Sequence, residues 1–261
     1  MSGYHLCQVK KAVHPYYIES ISTNIFTIEE LCFYLRENIY LIDETIMNEK
    51  LCDWIRAELG LLRLYRKLYE QLEKEGSIAG FILPIFKEIG YLSHDEFKEL
   101  QEHISRIEVQ PDDLRKKMKA DYLVRYQMYS NAIHEYYKIL KRRGPGNMGV
   151  QFYAAILNNM AAAYARLFLF EEAADCLWQS YGLVRSGEVY RRYLTALSLS
   201  GKPDLYEKKL EELKVPQVLR DRIKDTTGRL RNAAKENCPE DEDIGTFLEK
   251  IKKQYHRSNR A

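Results

Sequence analysis

The stretch Gln151–Gly182, QFYAAILNNMAAAYARLFLFEEAADCLWQSYG, limits what this chain can fold into more than any other. Leu157, Met160, Ala161 and Tyr164 fall at i, i+3, i+4 and i+7, which places them on one apolar face of a helix. The pattern breaks over 167–170. Glu171 and Glu172 then supply carboxylates suited to the positive end of a new helix. Ala173, Cys176, Leu177 and Ser180 repeat the first spacing. Ala161 and Ala173 are small enough for two helix backbones to approach closely, and Tyr164 and Phe170 fill the space beside them. Two helices packed back to back are expected.

The same logic extends upstream and downstream. Aligning Ala132 with Ala173 pairs Leu123 with Tyr164, Ala120 with Ala161, Tyr129 with Phe170 and Tyr136 with Leu177, an offset of 41 residues. A third pair is suggested by Tyr190, Leu194 and Leu197, followed by Tyr206, Leu210 and Leu213, although Tyr206 stands where a small residue belongs. A further helix from Gln217 to Lys235 would seal the stack. This arrangement of large, small and aromatic positions resembles the tetratricopeptide repeat, whose unit is about 34 residues. The extra residues fit the Gly- and Pro-rich loop Arg142–Val150.

The resemblance implies a helical scaffold that binds other proteins in a concave groove lined by the first helix of each pair. The implied groove positions include Lys117 and Asp121, then Asn158, Asn159, Ala162 and Arg166, then Glu188, Arg191 and Arg192. Lys117, Asn159 and Arg192 fit the pattern with which some family members grip a chain-terminal carboxylate. Asp121 and Glu188 do not, since each puts a negative charge where the ligand's would sit. For Asn158 and Asn159 a role within the stack competes with a ligand role.

Upstream, Thr27–Glu30 and Ser93–Glu96 have the form of capping boxes, in which a hydroxyl and a carboxylate satisfy each other's end of a helix. Gly60 and Gly90 read as helix stops, and Pro84 leaves either one bent helix or two short ones. Residues 1–25 read as an ordered segment in which Ile18, Ile21 and Ile25 belong either to a short helix or to a packed extended arm. The expected class is all-α: a helical bundle over 1–110, possibly of degenerate repeats, continuing into a tetratricopeptide-like solenoid of two to three helix pairs with a capping helix over 111–236. A short amphipathic helix and a loose basic tail follow over 237–261.

Composition narrows the function. Forty basic residues stand against 38 acidic ones, and 46% of residues are hydrophobic, so a large core is available and no basic excess points to nucleic acid. The five cysteines are widely spaced without a C-x-x-C, which argues against zinc or redox motifs and for buried thiols. No apolar leader opens the sequence and no run is long enough to span a membrane, so a cytoplasmic protein is expected.

Catalytic motifs fail on inspection. Gly144–Gly149 has phosphate-loop spacing, but Val150 and Gln151 replace the Lys and the hydroxyl. His134 and Glu135 begin an H-E-x-x-H motif that Lys138 breaks. The reading is a non-catalytic adaptor with no cofactor and no metal, holding a peptide or helix of a partner protein through Lys117, Asn158, Asn159, Arg166, Arg191 and Arg192. Two alternatives stand beside it. One is a helical regulator that senses a peptide and acts on DNA or an enzyme. The other is a helical metal hydrolase around His94 and Asp95.

Overall fold

The computed structural model describes residues 10–21, 23–74, 76–141, 148–236 and 244–258. A small antiparallel ribbon comes first, β1 (Tyr16–Ile18) and β2 (Thr23–Ile25), with Tyr16 opposite Ile25. Five helices follow: α1 (Ile28–Glu37), α2 (Glu49–Ala57), α3 (Leu62–Glu73), α4 (Ile78–Ile89) and α5 (His94–Glu108). Then come α6 (Asp112–Arg125), α7 (Tyr129–Lys141), α8 (Gly149–Arg166), α9 (Phe170–Val184) and α10 (Gly187–Leu199). The last are α11 (Pro203–Glu212), α12 (Gln217–Glu236) and α13 (Ile244–Ser258). The protein is all-α apart from the ribbon. It forms two compact units, divided inside α8 between Ala163 and Tyr164.

In the first unit one apolar core runs from Ala12 to Ile104, with Leu64, Leu68, Phe81, Ile82 and Ile85 fully enclosed. Local chemistry fixes its helix ends. Thr27 and Glu30 close a capping box at α1, and Ser93 and Glu96 close another at α5. Gly90 caps α4 at φ 60, donating its N–H to Phe86 O, a conformation that costs an L-residue its Cβ clearance. Pro84 lies inside α4, which continues through it as one helix.

The ribbon is the element that periodicity did not reveal. Three-residue strands are too short to show alternation, yet Ile18 and Ile25 bury their side chains. Side chains from α2 and its C-cap hold the arm that leads into it. Glu58 Oε2 accepts the backbone N–H of Val13 and of His14, and Trp54 Nε1 donates to His14 O at 2.9 Å.

The boundary expected near residue 110 falls inside the first unit, where polar side chains bridge it. Tyr122 Oη donates to Glu37 O at 2.8 Å, and Asn131 Nδ2 donates to Ser20 O at 3.2 Å. Lys119, its side chain only 12% exposed, reaches Asp43 Oδ2 at 2.5 Å and lies 3.7 Å from Glu135 Oε1. Lys138 pairs with the same Glu135 oxygen at 2.9 Å. The lysine that breaks the H-E-x-x-H pattern therefore neutralises the buried glutamate of that pattern.

The repeat logic has a backbone counterpart. Between α6 and α7, Met128 N–H donates to Leu123 O and Gln127 N–H to Val124 O, with Gln127 at φ 62. Between α8 and α9, Leu169 N–H donates to Tyr164 O and Phe168 N–H to Ala165 O, with Phe168 at φ 60. Each is a Schellman ending, and the two coincide at the 41-residue offset. A third such turn, at Leu210–Val215 with Lys214 at φ 50, joins α11 to α12. Ala120 and Ala132 are fully buried, as are Ala161 and Ala173 to within 2%, so the aligned small positions share one environment.

In the second unit α10 packs against α9, α11 and α12. Leu194, Leu197 and Leu210 are buried there, while Tyr190, Tyr206 and Leu213 are partly exposed. The third pair expected from the sequence, α10 with α11, thus packs alongside α9 and α12 rather than as an isolated hairpin.

Two outcomes follow from this geometry. Gln127 is exposed and left-handed, a conformation costing an L-residue about 1–2 kcal/mol, against about 0.5–1 kcal/mol of extra chain entropy for glycine. Gln127→Gly should therefore stabilise the fold by about 0.5–1 kcal/mol in urea unfolding, and Gln127→Ala should not.

The second concerns acid. Burial works to raise the Asp43 carboxyl, but the Lys119 charge and hydrogen bonds from Lys119 and Thr45 outweigh it and hold it below its ordinary 3.8. A lowered folded-state value contributes stability above the unfolded value and loses it as pH falls through the folded one. Asp43→Asn should flatten the fall in thermal midpoint below about pH 4, measured by circular dichroism.

Candidate functional site

The residues expected to line a groove divide between the two units. Lys117, Asn158 and Asn159 belong to the first, and Arg166, Arg191 and Arg192 to the second. In the first unit Asp121 gathers its neighbours. Lys117 Nζ reaches Asp121 Oδ2 at 2.5 Å, one turn along α6. Tyr136 Oη donates to Asp121 Oδ1 at 2.5 Å from α7, and Asn159 Nδ2 donates to the same oxygen at 2.9 Å from α8. Tyr136 is fully buried, and burial together with the Asp121 carboxylate pushes its hydroxyl's ionisation far above the ordinary tyrosine range. It therefore stays a donor.

This network accounts for the acidic residue that spoiled the clamp pattern. Asp121 ties three helices together, and Lys117 and Asn159 are held by it. A carboxylate ligand would have to displace those contacts. Asn158 Nδ2 donates back to Ala154 O at 3.0 Å, one turn earlier in α8.

In the second unit Arg166 is exposed in the last turn of α8. Glu188, near the start of α10, takes both neighbouring guanidiniums: Arg191 Nη2 at 2.7 Å and Arg192 Nε at 3.0 Å. Those hydrogen bonds, from Arg191 first and then Arg192, hold the Glu188 carboxyl below its ordinary value. One carboxylate thus serves two arginines that are both about half exposed.

The feature that sequence reasoning missed is an aromatic ladder between α9 and α10. Trp178 stacks on Tyr193 with ring centroids 4.9 Å apart and on Tyr181 at 5.7 Å. Tyr181 meets Tyr190 at 5.0 Å, and the Arg185 guanidinium lies 5.2 Å over the Tyr181 ring. Trp178 stays 41% exposed. The signal was present, since Trp178, Tyr181 and Arg185 fall at i, i+3 and i+7, and Tyr190 and Tyr193 at i and i+3.

Residues considered for chemistry sit apart. His94 and Asp95 are exposed at the start of α5, where Ser93 and Glu96 form the cap and Glu96 also pairs with Arg36 at 2.9 Å. Among the described residues no group of three or more His, Cys, Asp or Glu side chains could hold a metal ion. The loop Gly144–Gly149 lies outside the described residues up to position 147. Cys32, Cys52 and Cys176 are buried free thiols, and burial pushes those of Cys52 and Cys176 up to about 11.

Removing the hub should be costly. Asp121→Ala strands the buried Tyr136 hydroxyl and the Asn159 amide, and hydrogen bonds to charged groups contribute about 1.5–3 kcal/mol. A loss of about 2–4 kcal/mol in urea unfolding is expected, with Tyr136→Phe recovering part of it in the double variant.

Scans of family models, curated proteins and solved structures find no match to this chain.

Proposed function

We propose that this chain is a non-catalytic scaffold that binds a peptide or helix of a partner protein. The observation that carries the reading is the α9–α10 ladder, in which the packed rings of Trp178, Tyr181, Tyr190 and Tyr193 leave the indole 41% exposed, with the Arg185 guanidinium over the Tyr181 ring. Tryptophan, tyrosine and arginine dominate the energetics of protein interfaces. Rings already fixed by stacking lose little freedom on binding, so a partner gains most of the contact energy.

The repeated Schellman turns and the buried alanines at the 41-residue offset support a tetratricopeptide-like scaffold beneath that surface. Because Lys117 and Asn159 are engaged by Asp121, the contacts with a partner fall to Arg166, Arg191 and Arg192 together with Trp178. No helix among the described residues is long and apolar enough to cross a membrane. A reducing, cytoplasmic setting suits Cys32, Cys52 and Cys176, which are unpaired thiols enclosed in packed helices.

Affinity capture followed by mass spectrometry tests the proposal, with wild type beside Trp178→Ala and a Leu62→Ala control on α3. Hot-spot truncation costs about 2 kcal/mol or more, roughly thirtyfold in affinity. A partner kept by wild type and the control but lost by Trp178→Ala is the expected result. Equal retention by all three, with folding verified, would remove the ladder from the interface.

A further inference from the structure

A second feature of the same unit concerns what the partner carries. Between α10 and α12 lies a cavity of about 330 Å³, lined by Arg191 and Thr195 from α10 and by Arg222, Asp225, Thr226 and Arg229 from α12. Helical spacing explains the convergence. Arg191 and Thr195 are one turn apart, and Arg222, Thr226 and Arg229 fall at i, i+4 and i+7 on the flank of α12 beside the buried Ile223. Thr195 Oγ1 donates to Arg191 O at 2.9 Å and Thr226 Oγ1 to Arg222 O at 2.8 Å. Both hydroxyl protons are thereby committed to the backbone, and the charged donors of the cavity are its three guanidiniums.

Their charge is not balanced locally. Among the described residues Arg222 and Arg229 form no ion pair, and Arg191 shares Glu188 with Arg192. Three arginines and one carboxylate, Asp225, line the cavity, an excess of two positive charges, and the Glu188 that Arg191 shares lies outside it. A single carboxylate would neutralise half of that excess. A phosphoryl group carries about −1.5 to −2 at pH 7 and offers three acceptor oxygens, which matches both the charge and the fork geometry of several guanidiniums.

We infer that the α10–α12 cavity binds a phosphorylated serine or threonine side chain of a partner protein. This rests on the scaffold reading and specifies the chemistry of its partner. The Trp178 ladder, on the α9 side of α10, would then contact residues flanking the phosphorylated one.

The test is fluorescence anisotropy on the full chain. The probes are a labelled peptide library with fixed phosphoserine and degenerate flanks, the same library with serine, and the same with glutamate. Wild type should bind the phosphorylated library at least tenfold more tightly than the other two. Inorganic phosphate should compete, and Arg222→Gln with Arg229→Gln should abolish the difference while circular dichroism and thermal midpoint stay unchanged. Arg63→Gln, exposed on α3 and away from the cavity, should leave it intact.

Equal binding of the three libraries overturns the inference. So does a phosphopeptide preference that survives Arg222→Gln with Arg229→Gln, or a single-stranded oligonucleotide that binds more tightly than the phosphopeptides and is lost with the same variant. The two readings fail separately. A captured partner lost on Trp178→Ala but kept, after phosphatase treatment, by wild type leaves the scaffold standing without the phosphoryl site. A phosphopeptide preference with no ladder-dependent partner leaves the site standing alone.

Discussion

The helical hairpins of this protein depend on close approach at small residues. Ala120 and Ala132 are fully buried in α6 and α7, and a larger side chain at either would push the axes apart by more than the surrounding core can follow. The Schellman turn between them serves the same constraint, because it reverses the chain within three residues and sets the second helix against the first. That turn uses Gln127, Phe168 and Lys214 in the left-handed region rather than glycine. Packing of the paired helices offsets a local backbone cost at all three positions, which is a pattern of tertiary structure overruling local preference.

What the sequence revealed and what it hid divide along one line. Features set by neighbours a few residues away were legible: both capping boxes, the Gly90 stop, the α12 span, and the buried alanine faces. Features set by distant partners were not. No spacing rule connects Glu58 to His14, Lys119 to Asp43, or Asp121 to Tyr136 and Asn159, since each pair meets only after the chain has folded. The β1–β2 ribbon belongs with these. The arm that leads into its two three-residue strands is held by Trp54 on α2 and by Glu58 at the end of that helix, contacts that no local pattern announces.

The candidate groove shows the same division. Its six residues were chosen by register from a resemblance, and register says where a side chain lies on a helix but not what it touches. Asp121 looked like an obstacle to an anionic ligand. In the fold it is the acceptor that binds α6, α7 and α8 together, and it withdraws Lys117 and Asn159 from the surface. An ionised carboxylate with three donors is well satisfied, so keeping it there is cheaper than leaving Tyr136 buried without a partner.

Charge in the second unit follows the opposite course. The helices of the first unit spend their lysines on carboxylates: Lys116 on Asp112, Lys117 on Asp121, Lys119 on Asp43, Lys138 on Glu135. On α10 and α12 the arginines outnumber the carboxylates that could hold them, and Arg222 and Arg229 are left to solvent at the mouth of a cavity. Arginines elsewhere have partners, as Arg36 has Glu96 and Arg115 has Asp112, whereas Arg222 and Arg229 form no ion pair among the described residues. Arginine's planar fork gains most from a ligand with several acceptor oxygens, and that asymmetry is why the proposed phosphoryl site falls on α10 and α12 rather than on the lysine-paired helices of the first unit.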